Sequence, residues 1–90
     1  MTTPEGRVKA EIKAWLKEQG AYLFMPVQSG YGASTIDILA CLNGRFIGIE
    51  VKAGKNGPTA RQKLTLDAII KAGGLAFCAW SVDDVRLRLM

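Results

Sequence analysis

The Asn43-Gly44 dipeptide, set between the apolar runs Ile36 to Leu42 and Arg45 to Lys52, constrains this chain more than any other feature. A two-residue type I′ turn needs positive φ at both central positions, which asparagine and glycine tolerate, and β-forming flanks complete the hairpin signature. Such a turn pairs Leu42 with Arg45, and stepping outward along both strands brings Asp37 opposite Glu50. Counted from the hydrogen-bonded pair next to the turn, that position is non-hydrogen-bonded, with Cβ atoms roughly 4.5 to 5.5 Å apart. Period-two alternation sets Lys52 on the same face as Glu50.

The remaining elements arrange themselves around that hairpin. A first helix is expected from Pro4 to Gln19, with Thr3 as cap, Pro4 at the first helical position, Gly20 at the end, and Val8, Ile12, Trp15 and Leu16 as the apolar stripe. Ala21 to Val27 reads as a buried strand and Gln28 to Thr35 as a loop. After the turn at Lys55 to Pro58, Thr59 and Gln62 have capping-box spacing and open a second helix that Gly73-Gly74 ends. Leu75 to Trp80 is expected to be a fully buried strand, and Ser81 to cap a brief last element, helix or strand. The order α-β-β-β-α-β, with a right-handed parallel crossover from the third strand to the fourth, implies one compact α/β domain over residues 1–90 with a small mixed sheet.

Composition narrows the chemistry. The chain has no histidine, which removes the commonest general base and the commonest transition-metal ligand together. Any bound metal must then sit on carboxylates and carbonyls, a donor set for Mg²⁺ or Mn²⁺. A formal charge of +4 favours a polyanionic partner. The start of the chain lacks a signal-peptide pattern and no apolar run is long enough to span a bilayer, so a soluble, cytoplasmic protein without a membrane partner is expected. Cys41 and Cys78 lie inside apolar runs and read as reduced core residues.

Two facing carboxylates repel unless a cation lies between them. Their neighbours Ile36, Ile38, Ile49 and Val51 make both sheet faces apolar, a setting in which charges are rarely idle. Asp37 and Glu50 are therefore expected to bind a divalent cation, and Lys52 to orient or deprotonate the attacking water and to stabilise charge on a phosphate. Two readings stand for Glu5: an inward-facing acid on the first helix's stripe that wants a partner at the site, or an acid that complements the helix dipole. Gln62 likewise serves the capping box, the site, or both.

Asp37 followed by Glu50-Val51-Lys52, on the second and third strands of an αβββαβ chain, resembles the PD-(D/E)xK nuclease superfamily. More narrowly, Thr3-Pro4-Glu5, Ile36-Asp37-Ile38, the stretch Gly44 to Lys52, and Pro58 to Gln62 resemble stand-alone VRR-NUC domains of phages and bacteria over nearly the whole chain. The resemblance implies a restriction-endonuclease-like core and Mg²⁺- or Mn²⁺-dependent hydrolysis of DNA phosphodiesters, often in branched structures such as Holliday junctions or flaps. It also implies a homodimer and no organic cofactor, in a bacterial or phage-infected host cell. By the same resemblance Asp37, Glu50 and the Val51 carbonyl hold metal, with Glu5 as a further candidate ligand, Lys52 is the catalytic lysine, and Glu5 and Gln62 are accessory helix positions. Ile36 stands where the superfamily name has proline.

Arg61 and Lys63 lie in the first turn of the second helix, against its dipole, and Lys55 in the loop before it; these bases are read as phosphate contacts. Tyr31, in the glycine-rich loop, is available to stack on a base. Trp15 and Trp80 read as core. The alternative function is a nucleic-acid-binding module that keeps the fold without catalysis, against which the intact Asp37, Glu50 and Lys52 speak.

Overall fold

The computed structural model of the protein describes residues 3–26 and 36–90. The loop from Gln28 to Thr35, with Tyr31, lies outside them, as does the end of the expected first strand at Val27. The elements are α1 (Pro4–Glu18), β1 (Tyr22–Phe24), β2 (Ile38–Leu42), β3 (Arg45–Val51), α2 (Ala60–Lys71), β4 (Leu75–Ala79) and α3 (Val82–Leu89). No helix among the described residues is long and apolar enough to cross a membrane.

Local chemistry accounts for the helix starts. The hydroxyl of Thr3 accepts from the N–H of Gly6 at 2.9 Å, and Thr59 and Gln62 form a reciprocal capping box. Ser81 caps α3 through the N–H of Asp84, which settles the last element as a helix. The expected hairpin is present: Asn43 has φ 54° and Gly44 φ 76°, and Leu42 pairs with Arg45.

The sheet runs in the order β1-β2-β3-β4, with β1 and β2, and β2 and β3, antiparallel and β3 and β4 parallel. Side-chain alternation divides it into two faces. One carries Ile38, Ala40, Ile47, Ile49, Val51, Phe77 and Ala79 against Ile12 and Leu16 of α1 and Val85 of α3, and forms the main core. The other is covered by α2, where Leu66 packs with Ile36 and Ala76, and Ile69 and Cys78 lie beside them. Gly48 lets that helix sit close, since a Cβ there would come within 2.7 Å of Ile69 Cδ1.

Four expectations need correction. The first strand is short and half open, because β1 is a sheet edge that α2 does not reach: Tyr22 and Phe24 are 76% and 57% exposed. Cys41, the β2 partner of Tyr22 on the part of that face beyond α2, is exposed. Trp80 is 40% exposed, because β4 is the other edge of the sheet and ends one residue before it. The second strand starts at Ile38, so Asp37 is not a rung of the ladder.

Candidate active site

The register fixed by the turn extends to Ile38 opposite Ile49 and stops there. One further rung would have brought Asp37 opposite Glu50. The chain instead bends at Asp37, whose Oδ2 accepts from the N–H of Val51 at 2.9 Å. In a continued antiparallel ladder that N–H would meet the carbonyl of Ile36, so the carboxylate takes over an acceptor's place at the end of the hairpin. The N–H and C=O of a strand residue point to the same neighbour, which turns the Val51 carbonyl toward Asp37 as well.

Glu50 is 2% exposed, the one charged residue type in the buried set among the described residues. Its Oε2 accepts from Gln62 Nε2 at 2.9 Å. Its Oε1 is buried and meets no donor. Leaving such an acceptor unpaired costs free energy, so the atom marks a place suited to a cation or a proton. Burial first, then the charge of the nearby Asp37, push the Glu50 carboxyl up to about 8, with Lys52 opposing. At neutral pH and without a cation, Glu50 therefore holds a proton.

Lys52 follows β3 directly, and its backbone N–H donates to the Ala79 carbonyl at 3.0 Å. Its side chain is half-buried on the face of Glu50. Gln62 reaches Glu50 because Gln62, Leu66 and Ile69 share the face of α2 that lies on the sheet. The same side chain accepts from the N–H of Thr59 through Oε1 at 2.9 Å, so both roles expected of it hold together.

Glu5 is placed otherwise. It lines a hollow with Thr3, Pro4, Ala53, Gly54 and Asn56, just beyond Lys52. No group of three or more acids or cysteines able to hold a metal occurs among the described residues, so two carboxylates are gathered and Glu5 stands to one side. Lys55, Arg61 and Lys63 are exposed.

Two residues beside the centre escaped the sequence reading. Cys78 is the β4 partner of Glu50, and burial, then the Glu50 charge, push its thiol up, so it is a neutral thiol at neutral pH. Trp80 comes next on the same side of β4. No turn sets the register of a parallel pair joined through a helix, and the sequence therefore carried no signal for either neighbour.

Oxygen donors of this kind, the carboxylate of Asp37 at the Val51 N–H and the unpaired Oε1 of Glu50, are of the class that hard divalent ions take. No protein-family model matches the sequence, and no curated protein matches it. A solved structure described as a VRR_NUC domain is similar, with a TM-score of 0.78 and 22% identity, over 96% of this chain and 94% of that one. The chain thus has the fold of a VRR_NUC domain, with three helices on a four-stranded mixed sheet.

Proposed function

We propose that the protein is a metal-dependent nuclease that hydrolyses DNA phosphodiesters with Mg²⁺ or Mn²⁺. The observation that carries this reading is the buried Glu50, with one oxygen held by Gln62 and the other unpaired beside Asp37. A binding module would have no use for an acid kept at that cost in a basic protein. Asp37, Glu50 and the Val51 carbonyl would hold the ion, which supplies Lewis acidity toward a phosphate oxygen and lowers the pKa of a bound water. Gln62 fixes the rotamer of Glu50 by donating to Oε2. Asp37 is fixed by the Val51 N–H. Lys52 places a positive charge on the same face, where it orients the attacking water and offsets charge on the phosphate.

Lys55, Arg61 and Lys63 serve as contacts to flanking phosphates, and Glu5 shapes the far wall or meets the site through water. The preferred substrate in this reading is branched DNA, a Holliday junction or flap, cut by a homodimer presenting two sites. The uncovered aromatic face of Tyr22, Phe24 and Phe46 supports the dimer, because an apolar surface of that kind favours cover. The deciding experiment incubates the protein with linear, flapped and four-way-junction DNA in Mg²⁺, Mn²⁺ or chelator. Cleavage that needs metal, and is lost in Glu50→Gln, is the expected result; cleavage of none of these DNAs would reject the enzyme.

A further inference from the structure

We propose that Trp80 is a stacking platform for a base of the DNA strand held beside Lys52, an inference that rests on the nuclease reading. The β3-β4 register pairs Glu50 with Cys78 and Val51 with Ala79, and the Lys52 N–H continues it to the Ala79 carbonyl at 3.0 Å. The next step sets Trp80 beside Lys52, on the sheet side that carries Glu50. Neighbouring strands lie about 4.8 Å apart, so a base on the indole would adjoin the nucleotide whose phosphate meets Lys52.

The indole is both open and fixed. It is 40% exposed, yet its Nε1 donates to the Asn56 carbonyl at 2.9 Å, and its backbone N–H donates to Asp84 Oδ2 at 2.8 Å. A partly exposed ring held by its Nε1 edge is preorganised for stacking, because little rotamer freedom remains to be lost on binding. The groove it lines also holds Lys63 from α2 and Arg88 from α3, which outnumber Asp67 there and suit a backbone of phosphates. Tyr22, Phe24 and Phe46, at the opposite end of the sheet, line a hollow with Leu39, Ala40 and Cys41 and no cation, so the same argument does not extend to them.

Stacking on an aromatic ring accepts any base, and its loss weakens binding by roughly five- to a hundred-fold per base. The test uses a Trp15→Phe protein, in which Trp80 is the sole tryptophan, titrated in chelator with a short single-stranded oligonucleotide. Trp80 fluorescence should be quenched, Trp80→Ala should bind more weakly by that factor, and Trp80→Phe should retain most of the affinity. An abasic residue walked along the oligonucleotide should, at one position, cost the parent protein the same factor and cost Trp80→Ala nothing further. A role confined to holding the Asn56 loop would give neither the quenching nor the abasic dependence. Equal affinity of Trp80→Ala and parent, or binding without quenching, overturns the platform and leaves the nuclease untouched if the wild type still cuts with metal. Quenching with the abasic signature in a protein that cuts no DNA upholds the platform and rejects the nuclease. Failure of the parent to bind any oligonucleotide overturns the platform.

Discussion

Gln62 links the start of α2 to Glu50: its Oε1 accepts from the Thr59 N–H at 2.9 Å while its Nε2 donates to Glu50 Oε2 at 2.9 Å. One amide thus closes a helix cap and orients a buried acid, and substitutions can separate the roles. Gln62→Glu keeps the capping box, for which glutamate is as good, but sets a third carboxyl against Glu50. Its thermal midpoint in chelator should stay near or a little below wild type, and DNA cleavage should fall at least ten-fold. Gln62→Ala removes both contacts and should lose about 1 to 2 kcal/mol in denaturant unfolding as well. Full activity in Gln62→Glu would show that Gln62 serves the helix alone.

The raised Glu50 carboxyl makes the metal-free fold sensitive to pH. In the unfolded chain the group ionises near its ordinary value of 4.5, and in the fold at about 8. Between those values the unfolded state loses its proton first, so the contribution is full below 4.5 and is lost as pH rises through 8, with a limiting slope of about 1.4 kcal/mol per pH unit. Wild type in chelator should therefore lose stability from pH 5 to pH 9 relative to Glu50→Gln, which shares every other titrating group except this one. Parallel stability curves for the two proteins would show that Glu50 titrates as it does in water.

Metal should reverse that weakness. A ligand bound only by the native state stabilises it by about 2.7 kcal/mol at a hundred times its dissociation constant. Mg²⁺ or Mn²⁺ should raise the wild-type unfolding midpoint, and Asp37→Asn should lose most of the gain. In chelator the asparagine still accepts from the Val51 N–H but no longer repels an ionised Glu50. At pH 9 it should accordingly be more stable than wild type, by roughly 0.5 to 1 kcal/mol, with the difference shrinking toward pH 5. A wild-type midpoint that ignores both ions would count against the site.

Lys52 acts on water or phosphate in the proposed reaction and not as a ligand. Lys52→Ala should therefore lower cleavage by about a hundred-fold or more while Mn²⁺ still binds, measured by calorimetry. Loss of Mn²⁺ binding in this variant would refute the assignment.

The legible part of the molecule was the part with local chemistry. Thr3, Thr59 and Ser81 announce helix starts by satisfying their own N–H groups, and Asn43-Gly44 sets a register that holds to Ile38 and Ile49. From these the hairpin, the first two helices and the side of the sheet bearing Glu50 and Lys52 could be read, while the last element stayed open between helix and strand. The end of the ladder could not, because Asp37 replaces a backbone acceptor with its side chain, a choice that alternation does not encode. Edge positions were misread for a related reason: Tyr22, Phe24 and Trp80 are as apolar as core residues, and only the strand order shows that nothing covers them. Where Glu5 falls relative to the two acids depends on where α1 lies along the sheet, which its own periodicity leaves open.

Asn43 and Gly44 lie at the far end of the hairpin from Asp37 and Glu50, yet the register they set determines how the strands carrying the two acids meet. Side chains change sides of a sheet with every residue, so one extra residue at this exposed tip would slip β2 against β3 and part Asp37 from Glu50, one on each side. Either Glu50 or its neighbours Ile49 and Val51 would then face the wrong environment. The exposed hairpin tip thus acts as a ratchet, whose setting keeps charged and apolar side chains on their own sides of the sheet.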